Sequence, residues 1–149
     1  METQPLNIAT TVKKAFSRTT AVAADIKAAP ETIWALLTNA AEYPKWNSTV
    51  TSIEGSIEPG QTIKLKSTLD PKRVFKLKIK EFQAPNRLVW GDAMGSRVYT
   101  LAPGEGGVTR FSMVEKIGGP IFPLFAGMIP SFDKSFEQFA ADLKKAAEH

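Results

Sequence analysis

The chain has 149 residues, 43% of them hydrophobic, and a net charge of +4 at neutral pH. That is one ordinary globular domain, large enough for a full core and an internal cavity, with a mild basic excess that points only weakly to anionic partners. With no cysteine present, disulfides, thiolate metal sites and a cysteine nucleophile are excluded, and a cytoplasmic setting is the expectation.

Residues 1–15 are polar and aperiodic and are expected to form a flexible N-terminal arm ahead of a single domain over 16–149. The first twenty residues hold no continuous apolar stretch, so no signal peptide is expected. No apolar run approaches the ~20 residues of a membrane span, so no stable membrane insertion is expected. "TTAVAADIKAAP" reads as a strand, with Val22, Ala24 and Ile26 alternating against Ala23, Asp25 and Lys27. Pro30 and Glu31 suit a helix start, and Ile33, Trp34, Leu36 and Leu37 give it an apolar stripe. Pro44 disfavours helix at Tyr43 and breaks a second short turn. The stretch "ETIWALLTNAAEYPKWN" fits a closing helix of a core, a pocket lid or an active-site loop.

From Thr49 to Glu115 the pattern has period two, interrupted by "EPG", "LDPK", "QAPN", "DAMG" and "PGEGG", which predicts six strands in hairpins. The tail "IPSFDKSFEQFAADLKKAAEH" predicts a long helix with Phe132, Phe136, Phe139, Leu143 and Ala147 on one stripe. Hairpins centred on Pro71, Ala84–Pro85, Ala93–Met94 and Glu105 place Leu65 opposite Leu77, Ile79 opposite Trp90 and Trp90 opposite Arg97. They also place Leu88 opposite Tyr99, Tyr99 opposite Phe111 and Arg97 opposite Met113. All four agree on one inward face, from Ile63, Leu65 and Ser67 through Phe75, Leu77, Ile79, Leu88, Trp90, Arg97, Tyr99 and Leu101 to Phe111, Met113 and Glu115. Lys64, Lys66, Lys76, Lys78, Lys80, Arg87, Thr100, Arg110 and Ser112 fall on the other face. One apolar and one solvated face is the pattern of an antiparallel sheet covered on one side.

The pieces "IKAAPETIWALLTNAAEYPKWN", "RLVW", "GEGGVTRFSMVEKIGGP" and "SFEQFAADLKKAAE", in this order and spacing, resemble the START-related superfamily shared with the birch pollen allergen. The resemblance covers roughly residues 18–147 and is closest to the bacterial polyketide cyclase/dehydrase and lipid-transport branch. It implies an α+β helix-grip: a seven-stranded curved antiparallel sheet around a long C-terminal helix, two short helices closing one end, and a cavity between. Binders, transporters, cyclases and co-chaperones share that fold, so the site must decide the function.

The only histidine is the last residue, His149, and no acidic cluster stands in for a metal site. "GEGG" lies in a hairpin rather than at a phosphate-binding strand–helix junction, and a serine nucleophile would lack a base. No metal and no cofactor are therefore expected. What remains is the inward polar set Arg97, Tyr99, Glu115 and Ser67, with Arg97 the one inward cation, diagonal to Glu115. The pair reads either as a salt bridge at the wet end of the sheet or as an anchor for a ligand carbonyl or carboxylate. The candidate ligand-binding residues are Leu65, Leu77, Ile79, Trp90, Arg97, Tyr99, Phe111, Met113, Glu115, Phe132 and Phe136. For Trp90, Phe111, Met113 and Phe136, plain core packing remains an equal reading.

On the outer face the lysines read as a solvated surface or as a docking face for an anionic partner, including a protein. Aromatics interleaved for base stacking are missing, so nucleic acid is not expected. "KIGGPIFPLFAGMIP", 116–130, reads as a gate over a cavity mouth or as packing under the long helix. The expectation is a binder, transporter or sequestering protein for a small, mostly hydrophobic molecule. The alternatives are a cyclase or dehydratase of an aromatic polyketide-like substrate with Glu115 as general base, and a protein-interaction module.

Overall fold

The computed structural model describes residues 4–149. Eight strands form one open antiparallel sheet: β1 (Thr10–Lys13), β2 (Ser17–Ile26), β3 (Val50–Glu54), β4 (Thr62–Ser67), β5 (Asp70–Gln83), β6 (Arg87–Gly91), β7 (Gly95–Pro103) and β8 (Thr109–Gly118). Their order across the sheet is β1-β2-β8-β7-β6-β5-β4-β3. Helices α1 (Pro30–Thr38) and α2 (Tyr43–Trp46) connect β2 to β3, and α3 (Asp133–Ala147) ends the chain.

The sheet has eight strands rather than the seven expected, because the presumed arm contains β1; the arm's residues 1–3 lie outside the described residues. β1 carries no core-facing apolar stripe. It is held by backbone pairing to the edge of β2 and by polar contacts to α3. The Thr11 hydroxyl donates to Asp133, and the Ala9 N–H donates to Glu137 Oε2 at 2.9 Å.

The β6–β7 hairpin keeps the expected register, with Trp90 opposite Arg97 and Leu88 opposite Tyr99. β5–β6 keeps it at Ile79 opposite Trp90, but a bulge before Glu81 shifts the pairing nearer the turn by one residue, with Phe82 opposite Leu88. The other two hairpins differ from expectation by two residues. Leu65 faces Phe75, not Leu77; Tyr99 faces Met113, not Phe111; and Arg97 faces Glu115 directly, not Met113. In the β7–β8 turn, Gly106 and Gly107 take positive φ and Gly104 N–H bonds Val108 O at 2.7 Å, moving the turn centre one residue on. In β4–β5, Ser67 pairs with Asp70, so Thr68 and Leu69 make the turn and Pro71 lies inside β5. An even slip leaves every side chain on its expected face. On the outer face the β4–β5 slip places Lys64 opposite Lys76, and across β3–β4 Lys66 faces Ser52.

α3 lies on the inward face and buries Phe136, Phe139, Ala140, Leu143 and Ala147. Phe139 joins the layers: its ring centroid lies 5.7 Å from those of Trp46 and Tyr99, and 6.3 Å from that of Phe111 in a stacked pair. Ile33, Trp34, Leu37 and Tyr43 plug the same end, and the buried Tyr43 hydroxyl donates to Leu37 O at 2.7 Å.

Phe139→Ala is expected to lower unfolding stability by about 3–5 kcal/mol, the cost of truncating a fully buried aromatic. Lys76→Thr, on the outer face opposite Lys64, is expected to change it by about 0.5 kcal/mol or less. Urea titrations of both variants check the contrast; a Phe139 effect as small as that of Lys76 would overturn this packing.

Candidate functional site

Around Phe139 the space between sheet and helix is filled; toward the N-terminus of α3 it is hollow. There a cavity of about 260 Å³ is lined by β3–β8, the start of α3 and the segment between β8 and α3. Leu65, Leu77, Trp90, Arg97, Glu115 and Phe132 line it. Ile79, Tyr99, Phe111, Met113 and Phe136, also candidates, are fully buried behind that wall as core. Ser67 and Phe75 of the inward face complete the sheet side, and Ser135 lines the cavity from α3.

Arg97 and Glu115 form the polar part of the wall. Facing each other on β7 and β8, they bond from Arg97 Nε to Glu115 Oε1 at 2.6 Å, with both side chains under 20% exposed. Arg97 Nη1 reaches the Tyr99 hydroxyl at 3.5 Å, and the guanidinium lies 4.9 Å over the Phe136 ring. Burial alone would pull the Arg97 guanidinium down, but Glu115 and Tyr99 together more than offset it and raise it above its ordinary value. Burial pushes the Tyr99 phenol up to about 12, against the pull of Arg97, so at neutral pH it keeps its proton and can donate. A guanidinium has five N–H donors, and no protein acceptor among the described residues takes Arg97 Nη2. The wall can therefore grip an acceptor oxygen of a bound molecule.

Arg97 is not the lone inward cation. Arg18, at the start of β2, is 6% exposed, donates from Nη1 to Ile129 O at 3.1 Å and from Nη2 to Pro130 O at 2.8 Å, and lies 4.7 Å over the Phe132 ring. Burial lowers its guanidinium from the ordinary value, with Glu115 and Asp133 acting in the opposite sense. The signal was available: the alternation through Val22, Ala24 and Ile26 extends back through Thr20 to Arg18 once the strand begins two residues earlier.

The 119–131 segment folds into two short 3₁₀ turns, Phe122–Leu124 and Ala126–Met128. Phe125, Ile129 and Pro130 line the cavity, Met128 borders it while 80% exposed, and Leu124 points away at 83% exposed. Phe122 is buried beneath it. The segment thus covers the cavity and also presents apolar side chains outward. Among the described residues, Arg18 is the only side chain from outside the segment that hydrogen-bonds its backbone. Among the described residues, too, no three metal-ligating side chains cluster, and no helix is long and apolar enough to cross a membrane.

A model of the family described as polyketide cyclase/dehydrase and lipid transport matches residues 17–148. The chain belongs to that family. No curated protein sequence matches this cyclase/lipid-transport family member. Solved structures share its fold. A Rhodobacter sphaeroides protein has 20% identity and a TM-score of 0.65, over 93% of this chain and 96% of that one. A START superfamily protein from Mycobacterium smegmatis has 15% identity and a TM-score of 0.63, over 87% and 97%. DynU16, from the dynemicin biosynthetic locus, has 14% identity and a TM-score of 0.63, over 85% of this chain and 46% of its own. The START-like fold of this family member thus rests on its sequence and on its structure.

Arg18→Gln weakens two charge-assisted bonds to the segment that covers the cavity. A charged hydrogen bond contributes about 1.5–3 kcal/mol, so amides of 119–131 are expected to exchange at least ~10-fold faster, with those of 86–101 unchanged. Hydrogen–deuterium exchange of wild type and variant checks this; equal exchange of the segment in both would mean that Arg18 does not hold it.

Proposed function

We propose that this chain binds a small, mostly apolar molecule in the inner cavity and carries or sequesters it without a cofactor. The observation that carries this reading is the cavity wall itself: Leu65, Leu77, Trp90 and Phe132 around the single ion pair Arg97–Glu115, with Arg97 Nη2 left without a protein acceptor. An apolar cavity with a few convergent polar groups is the usual form of a small-molecule site. In this reading the apolar wall holds the body of the ligand and Arg97 holds its carbonyl or carboxylate oxygen. Ile79, Tyr99, Phe111, Met113 and Phe136 act from behind, by keeping that wall in place. The family description supports such a ligand, since it covers both lipid transport and polyketide cyclisation.

The same description favours a second reading, a cyclase or dehydratase of an aromatic polyketide-like substrate. There Arg97, backed by Tyr99, polarises a carbonyl and Glu115 takes the proton. Glu115 Oε1 already accepts from Arg97, which suits an anchor better than a free base. Binding is therefore the first reading.

Acetonaphthone, an aromatic ketone, is a suitable probe. The double variant Arg97→Met/Glu115→Gln replaces the ion pair without leaving a lone charge, so it is expected to fold with near wild-type stability. It is expected to lose about 1.5–3 kcal/mol of ketone affinity in a calorimetric titration. Full affinity in the double variant would end the anchor reading. Should a substrate be turned over, Glu115→Gln lowering turnover by roughly 10²-fold with affinity kept would instead establish the cyclase reading.

A further inference from the structure

The sheet carries a second concavity on its outer face, a groove of about 610 Å³ along β3, β4 and β5. Four cations line it, Lys64, Lys66, Arg73 and Lys76, against two carboxylates, Glu54 and Asp92. Asp92 is committed elsewhere: its Oδ1 accepts Met94 N–H at 2.8 Å and Gly95 N–H at 3.2 Å within its own turn. Glu54 stands opposite Lys64 in register, which leaves the groove with a net positive lining. Among the described residues none of the four cations is in ion-pair contact with a carboxylate. Lys64 and Lys76 face each other directly, a repulsion that a bound anion would relieve.

Groove and cavity meet. Arg73, Phe75 and Asp92 border both. The strand pairing explains the junction: β6 meets β5 only from Lys78 onward, so residues 70–77 of β5 pair with β4 alone. At this gap in the sheet the half-buried Phe75 separates inside from outside, and the Arg73 guanidinium lies 4.5 Å over its ring.

We propose that groove and cavity form one continuous site for an elongated anionic amphiphile. Its apolar end occupies the inner cavity, its anionic head lies among Lys64, Lys66 and Lys76, and Phe75 with Arg73 is the partition it passes. This rests on the reading that the inner cavity takes an apolar molecule. At about 260 Å³ the cavity alone falls below the ~300–1,000 Å³ of most ligand sites. Arg97 and Arg73 stand at its wall against Glu115, Asp70 and Asp92, so the cavity has no net positive charge and a fully anionic head finds more of it in the outer groove. The outer groove supplies both the missing length and the missing positive charge, and oxyanions form their strongest hydrogen bonds with such cations.

Calorimetric titration of the full chain with decanol, decyl phosphate and inorganic phosphate tests this. Decyl phosphate is expected to bind roughly tenfold or more tighter than decanol, with inorganic phosphate far weaker than either. The triple variant Lys64→Gln/Lys66→Gln/Lys76→Gln, altered only at exposed positions, is expected to bring decyl phosphate down to the decanol value while leaving decanol unchanged. Equal binding of the two alkyl probes by the wild type, or a phosphate preference that survives the triple variant, would overturn the inference and leave the cavity reading standing. Inorganic phosphate binding as tightly as decyl phosphate would show an isolated anion site and overturn it as well. If neither alkyl probe bound, the cavity reading would fail and this inference with it.

Discussion

The contact of Phe139 with the aromatic rings of the sheet and the plug sets the rest of the architecture. Its ring meets Trp46 of α2 and both Tyr99 and Phe111 on the sheet. Aromatic pairs at these separations add to plain area burial, so this end of the sandwich closes tightly. Because α3 is pinned there, its other end stands off the sheet, and Phe132 and Ser135 border a hollow rather than a core. Solid packing at one end and a cavity at the other thus follow from where a rigid helix is anchored on a sheet.

A buried ion pair beside such a hollow is a weak source of stability, since desolvation consumes most of its Coulomb attraction. Arg97 and Glu115 face each other on adjacent strands, under a phenol that keeps its proton and over the face of Phe136. Leucine and methionine at these two places would fill the wall at similar cost. The pair leaves an acceptor-seeking nitrogen at the cavity wall, which a purely apolar wall would lack. Arg18 plays a different part from the same side of the sheet. Its two bonds to Ile129 O and Pro130 O tie the covering segment to β2, and so tie access to the cavity to a strand that is itself firmly paired.

Much of this was legible in the sequence, and the particular residues show why. Period-two alternation assigns Leu65, Leu77, Trp90, Arg97 and Glu115 to one face whatever the turn lengths, because a slip by two leaves the face unchanged. The turn chemistry that decides cross-strand partners is subtler: the β7–β8 turn, with Gly106 and Gly107 both at positive φ, puts Arg97 opposite Glu115 rather than Met113. β1 was not legible because Thr10–Lys13 has no core face and is held by hydrogen bonds whose partners, Asp133 and Glu137, lie more than a hundred residues away. Nor could alternation separate cavity from core. Tyr99 and Arg97 are two residues apart on one face, yet Phe139 covers one and the hollow meets the other. That distinction depends on how the helix lies across the sheet, which no strand pattern encodes.

The central claim, that the hollow end of the sandwich is where this protein takes its ligand, is tested most directly by methyl chemical-shift mapping during titration with acetonaphthone. The account predicts shifts at Leu65, Leu77 and Ile129, which line the cavity, while Ile26 and Leu143, buried in the solid core, stay fixed. Shifts confined to the solid core or to the outer face, with Leu65, Leu77 and Ile129 unmoved at saturation, would contradict it.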